Sequence, residues 1–323
     1  MIPLFKVFMS EKSAEEASKI LTSGYIGQGP KVDEFENILG KFFTNKNVVT
    51  TNSATSAEHL AIHMLKAPDT NVKGYHGVAF AESTWRGIPP GSEILTTPLT
   101  CTATNWPILA NNIDIKWVDV DPNTCNMDLD DLERKISNKT RAIMVVHWGG
   151  YPIDLDRLRD IQERAMEKYG HKPVIIEDCA HAFGSTYKGS KIGNHGNICT
   201  FSFQAIKHLT AVDGGCVVFP YEKMAERARL LRWYGIDRNS NRKDFRCEAD
   251  IPEYGFKFHM NDVNATVGIH NYPEVLEKVL PVHIDNARFY NEQLKDVPGV
   301  TLLEAESDRQ SAYWIYTIKV ESQ

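Results

Sequence analysis

Short apolar runs alternate along this chain with longer stretches whose apolar residues recur every three or four positions. The runs Asn47–Thr51, Glu93–Thr97, Ile115–Val118, Arg141–Val146, Pro173–Glu177, Ile198–Phe203 and Gly215–Phe219 are predicted strands. Several of them (IMVV, VII, CVVF) are apolar at consecutive positions, as expected of a sheet covered on both faces. Between them, Ser56–Lys66 places Ala57, Leu60, Ala61, Met64 and Leu65 at helical spacing. Leu155–Tyr169 follows Asp154, a good N-cap, and carries Leu158, Ile161 and Met166. Tyr221–Tyr234 and Asn261–Tyr290 are further predicted helices, the second expected to break at Pro273 and Pro281. Strand and helix in alternation predict an α/β fold with a mainly parallel sheet.

Two segments interrupt this rhythm. Ala67–Pro90 mixes Gly, Pro and aromatic residues and reads as an inserted loop. Asp237–Glu253 is polar and carries Arg238, Arg242, Lys243 and Arg246. Near the end, AYWIYTIKV at Ala312–Val320 reads as one strand of a second, smaller domain. The chain stops directly after it, so the expectation is a C-terminal domain that is cut short. The division expected is a large domain over 1–260 and connecting helices with the start of a small domain over 261–323. The length of 323 residues fits a prior of about two domains.

Composition narrows the function classes. Lys plus Arg number 36 and Asp plus Glu 42, a formal net charge of −6. A phosphate-tracking surface normally shows a basic excess, so no nucleic-acid partner is expected. The longest apolar runs are too short to span a bilayer, and no membrane association is expected. MIPLFKVFMSEK is interrupted by Lys6 and does not read as a secretory signal. The six cysteines, at 101, 125, 179, 199, 216 and 247, form no CxxC pair. Reduced thiols in the cytoplasm are the simplest reading.

Four separated pieces carry candidate chemistry. TTNSATSAEHL at Thr50–Leu60 runs from a strand into a helix through small hydroxyl residues. Such a helix start can hold a phosphate, here on Ser53, Ala54 and Thr55, or it can be an ordinary Ser N-cap. VIIEDCAHAFGSTYKG at Val174–Gly189 places Asp178 at the carboxyl end of a buried strand, with His181 three residues on. Open α/β sheets put ligand-binding groups there. Asp178 could hold a protonated pyridine nitrogen, cap the next turn, or join His181 and His195 or Cys179 around a metal. The spacing fits no usual zinc pattern, and no metal is expected. NICTFSFQAIKHLTAVDGGCVVF at Asn197–Phe219 delivers Ser202, then Lys207, then Asp213-Gly214-Gly215, between two strands. Burying an ammonium is costly unless it is neutralised or used covalently, so Lys207 is either an imine-forming amine or a lysine that snorkels to the surface. YGFKFHMNDVNATVG at Tyr254–Gly268 says little alone.

Taken in order, these pieces resemble the DegT/DnrJ/EryC1/StrS sugar aminotransferases. The resemblance runs from SGYIGQGPKVDEFE through NSATSAEHL, PPGSEILTTPLTCTATN, HWGGYPIDLD, IEDCAHAFGSTYKG and SFQAIKHLTAVDGG to GFKFHMNDVNATVG. It implies the aspartate-aminotransferase (fold type I) architecture, a large domain with a mainly parallel seven-stranded sheet and a small C-terminal α+β domain. It implies pyridoxal 5'-phosphate (PLP) as cofactor. Lys207 matches the lysine that forms the internal aldimine, and Asp178 the acid on the pyridine nitrogen. His181 matches a position beside the phenolic oxygen, and Ala180 a small residue against one ring face. Ser202 and Ser53–Thr55 match the phosphate cradle. A gapless match puts Cys101 where the family usually stacks an aromatic on the cofactor, with Trp106 nearby but out of register. His259 matches a residue that reaches the partner subunit's site, so a homodimer with a shared site is implied. Tyr25, Arg238 and Lys257 are the candidate substrate contacts.

The implied reaction moves an amino group from L-glutamate to the keto group of a nucleotide-linked sugar. Dehydratases of the same family carry histidine in place of the lysine; Lys207 favours transamination, with His208 adjacent to it. A non-catalytic regulator that binds PLP or a sugar nucleotide is the reading from another class.

Overall fold

The runs that are apolar at successive positions form the middle of a seven-stranded sheet. The computed structural model describes residues 6–66, 87–238, 251 and 253–321. In chain order the first strands are β1 (Val48–Thr51), β2 (Glu93–Thr96), β3 (Asp114–Trp117), β4 (Thr140–Val146) and β5 (Val174–Asp178). The short β6 (Thr186–Tyr187) and β7 (Ser190–Lys191) follow, then β8 (Ile198–Ser202) and β9 (Gly215–Val218). The large sheet has the order β1-β9-β8-β5-β4-β2-β3. β8, β5, β4, β2 and β3 are parallel, whereas β9 is antiparallel to both its neighbours.

Both faces of this sheet are covered, which is why its strands do not alternate apolar with polar. In β4, Ile143 and Val145 enter one hydrophobic core while Ala142 and Met144 enter the other. The first core is closed by α2 (Pro30–Phe43), whose Phe35, Leu39 and Phe43 are fully buried, and by α6 (Leu155–Tyr169). The second is closed by α3 (Ala54–Met64) and α7 (Glu222–Leu231). Each large side chain buried this way contributes roughly 1.5–3 kcal/mol. The remaining helices of the large unit are α1 (Glu11–Ser23), α4 (Thr102–Ala110) and α5 (Leu129–Lys135).

Two expectations need correction. The helical stretch after Asn261 does not break at its prolines. α8 (Asp262–Glu274) continues through Pro273 into a π-turn at Val275–Val279 and then into α9 (Leu280–Leu294). The wider turn lets the chain pass Pro273 and Pro281 without ending the helix. The second correction concerns Ala312–Val320, where only β12 (Ile318–Val320) is a strand. It has a partner, the antiparallel β10 (Val300–Leu302). A further short strand, β11 (Arg309–Gln310), pairs with β6. Residues 312–317 are held in irregular backbone instead: the Ala312 N–H donates to Ser185 Oγ at 3.0 Å and the Trp314 N–H to the Gly149 carbonyl at 2.8 Å. These bonds lay the segment over the carboxyl ends of β4 and β5. Of the inserted loop expected at 67–90, only 87–90 lie within the described residues, and 239–250 and 252 of the polar loop lie outside them.

Candidate active site

Asp178 is the last residue of β5, the central parallel strand, and is only 4% exposed. Both of its oxygens are engaged. Thr104 Oγ1, from α4, donates to Oδ2 at 2.7 Å, and the Ala180 N–H donates to Oδ1 at 2.9 Å. These bonds fix the orientation of the carboxylate.

Lys207 lies in the turn between β8 and β9. Its Nζ sits 3.5 Å from the centroid of the Trp314 ring. Burial pulls this amine down to about 8, against the opposing pull of Asp178, Cys101 and Glu58. The same Trp314 ring stacks on His181, three residues after Asp178, so the Lys207 amine and the carboxyl end of β5 line one cleft. The next residue, His208, turns away. Its Nε2 is 3.0 Å from the Ala312 carbonyl oxygen and its ring meets His283 edge-on. Of the two adjacent residues, it is the lysine that faces the cleft. The turn that carries it is strained at Val212, a β-branched residue at φ +66°. Val212 N–H bonds to Thr210 Oγ1 at 3.0 Å, which helps hold that conformation.

The Asp213-Gly214-Gly215 sequence is explained by packing. A Cβ on Gly215 would lie 2.5 Å from the Ala54 nitrogen, and one on Gly214 would lie 2.5 Å from Met260 Cε. Gly215 thus lets the start of α3 rest directly on β9. Ser202 is the register partner of Gly215, so Ser53, Ala54 and Ser202 are drawn to one end of the sheet. Ser53 is an N-cap, accepting from the Ser56 N–H at 3.1 Å, so the helix start expected to hold a phosphate is also a capped one.

His181 stacks on Trp314 with ring centroids 4.0 Å apart, and its Nδ1 is buried without a partner. Burial, reinforced by Lys207 and His208, holds it down to about 3, so it is a neutral imidazole. Ala180 is half-buried beside it. Cys101 is exposed at the N-cap of α4, close enough to Glu58 and Lys207 to act on both electrostatically. Trp106 is 63% exposed on the same helix.

Three other candidates, His259, Arg238 and Lys257, collect around Trp233. His259 packs on that ring at 3.7 Å, and Arg238 lies over it at 4.6 Å while donating to the Gln28 carbonyl at 2.9 Å. Burial, with Lys257, Arg238 and Arg232 nearby, holds His259 down to about 4. Lys257 is exposed and bridges to Trp233, and Tyr25 is 86% exposed. The segment Lys257–Phe258 runs beside the turn that leads into α3, where the Asn52 N–H donates to the Phe258 carbonyl at 2.7 Å.

Three site residues escaped the sequence reading: Thr104, Glu58 and Trp314. Thr104 could have been found from its place one turn after Cys101 on a helix facing the carboxyl end of the sheet. Glu58 stands out in hindsight as an acid among Ala57, Leu60 and Ala61. Trp314 gave no local signal.

The described residues also contain a compact buried group, His147, Glu177 and Cys179. His147 spends both ring nitrogens, on Glu177 Oε2 at 2.8 Å and on the Ile153 N–H at 3.1 Å. It reads as a strut behind β5.

A family model described as the DegT/DnrJ/EryC1/StrS aminotransferase family matches residues 8–323. The chain belongs to that family. It is similar to AtS13 from Actinomadura melliaura (48% identity, TM-score 0.89, covering 99% of this chain and 80% of that one). It is also similar to the sugar aminotransferase CalS13 from Micromonospora echinospora (44%, TM-score 0.88, 99% and 81%). The PLP form of Spr1654 from Streptococcus pneumoniae is more distant (26%, TM-score 0.83, 99% and 78%).

The cleft fits PLP on its own evidence. It offers a half-buried amine lowered to about 8, a carboxylate fixed by two hydrogen bonds and a helix start against a glycine that leaves no room for a side chain. The unpartnered His181 Nδ1 adds a buried polar atom awaiting a ligand. Among the described residues no helix is long and apolar enough to cross a membrane.

Proposed function

We propose that this protein is a PLP-dependent sugar aminotransferase that passes an amino group from L-glutamate to the keto group of a nucleotide-linked sugar. The observation that carries this reading is the Trp314 ring, which meets Lys207 Nζ at 3.5 Å and His181 at 4.0 Å and so joins the lysine to the carboxyl end of β5, where Asp178 lies. Bound there, PLP supplies an aldehyde that takes up the amino group and a ring that stabilises negative charge. Lys207 holds the cofactor and, when freed by the donor, moves the proton at its Nζ as general base and then acid. An amine near 8 is suited to both tasks at neutral pH.

Asp178 would pair with the ring nitrogen, and Thr104 and the Ala180 N–H keep it aimed. Ser202 and the start of α3 at Ser53, Ala54 and Thr55 take the phosphate. Neutral His181 lies at the phenolic side, and Cys101 faces the cleft from α4. Trp314 shields Lys207 from water.

His259 serves the site of a partner copy in a homodimer, and Tyr25, Arg238 and Lys257 contact the sugar nucleotide. The enzyme works in the cytoplasm. The test is a spectral titration of the PLP-loaded protein with L-glutamate, followed by a panel of keto-sugar nucleotides. Loss of the visible band with glutamate, and its return with a keto sugar, is expected. A band that no amino donor changes would favour a binding protein instead.

A further inference from the structure

Among the described residues, Glu58 is an acid of the cleft with no role in the proposed transamination. It lies in α3 and is 1% exposed. It lies one turn into the helix whose start rests on β9, and the charges of Asp178, Cys101 and Lys207 act on it. Its Oε2 is buried with no donor. Two ionised carboxylates cannot share such a place, and Asp178 already accepts from Thr104 and from the Ala180 N–H. Burial and the Asp178 charge push Glu58 well above the usual carboxylate range. A proton on Glu58 resolves both the repulsion and the missing partner.

We propose that Glu58 is a neutral carboxylic acid whose O–H donates to Asp178, serving as a positioning residue that keeps the shared proton on the cofactor's ring nitrogen rather than on Asp178. The proposal rests on the assignment of Asp178 to that nitrogen. The physical reason is simple. A carboxylate that accepts a third hydrogen bond gives up electron density and competes less well for a proton. The ring then stays a full pyridinium, which is the state that draws charge from the reacting carbon. A leucine at this position would fill similar space and remove the donor.

Two measurements test this. The first is infrared spectroscopy of the apo protein near neutral pH, comparing wild type with Glu58→Gln. A carboxylic-acid C=O band present in wild type and absent from Glu58→Gln is expected; no such band in wild type would overturn the proposal. The second uses PLP labelled with nitrogen-15 in the ring. Glu58→Gln, which keeps a donor, should leave the nitrogen resonance at its wild-type position, whereas Glu58→Leu should move it toward neutral pyridine. Equal resonances in Glu58→Leu and wild type would mean that Glu58 only fills space, and would overturn the role. Failure to bind PLP at all would contradict the cofactor assignment while the infrared result still judges the state of Glu58.

Discussion

The Lys207 amine lies against the face of Trp314, 3.5 Å from its ring centroid, although 107 positions separate the two in the chain. The ring attracts the charged amine, an effect of about 0.5–2 kcal/mol. It also helps to exclude water, and burial is the larger influence on Lys207. The amine reacts with an aldehyde only when neutral, a state that grows as pH rises. Capture of PLP by the apo protein should therefore accelerate with pH and level off above about 8. Stopped-flow absorbance checks this, and a midpoint near an ordinary lysine's would contradict it. Trp314→Ala should shift the midpoint upward by readmitting water.

Asp178→Asn should keep the shape of the cleft but lose the charge opposite the ring. Activity should fall by roughly 10²–10³-fold, the scale of losing one preorganised electrostatic partner. Thr104→Val removes only a donor to Asp178. A hydrogen bond to a charged group contributes about 1.5–3 kcal/mol, so a loss of roughly ten- to hundred-fold is expected. Steady-state kinetics of both variants should preserve this ranking; a Thr104→Val enzyme as impaired as Asp178→Asn would contradict it.

Gly215→Ala puts a methyl group 2.5 Å from the Ala54 nitrogen. Backbone must move, so the variant should lose about 1–3 kcal/mol of stability. Because the displaced backbone is the start of α3, PLP affinity should fall as well. Denaturant titration and PLP titration measure the two effects. Unchanged PLP affinity in a destabilised variant would separate the cradle from the packing.

Acid titration offers a separate check on Glu58. A carboxyl whose folded-state pKa is raised contributes stability that is present below its unfolded value and lost as pH rises through the folded one. Apo wild type should therefore lose stability with rising pH above the usual carboxylate range more steeply than Glu58→Gln. Parallel melting curves across pH would contradict this.

What the sequence revealed followed from local pattern. β4 buries the apolar run Ala142–Val146 and β5 the pair Ile175 and Ile176 without alternation, so their place in the sheet was plain. Asp178 and Lys207 were legible because a buried strand end and an inter-strand turn are unusual places for charge. Trp314 was not, because its role comes from a fold-back over the carboxyl ends of β4 and β5 that no local periodicity encodes. Thr104 looked like any helical threonine until Asp178 met it across 74 positions. The π-turn at Val275–Val279 was hidden for a related reason: two prolines predict a break, and only a register change inside the helix avoids it.

Covalent use of Lys207 underlies the proposed chemistry, and borohydride reduction of the PLP-loaded protein followed by mass-spectrometric peptide mapping reads it out. A single pyridoxyl group on Lys207 is the predicted result. A pyridoxyl group on another lysine, or tightly bound PLP with no modified lysine, would contradict it.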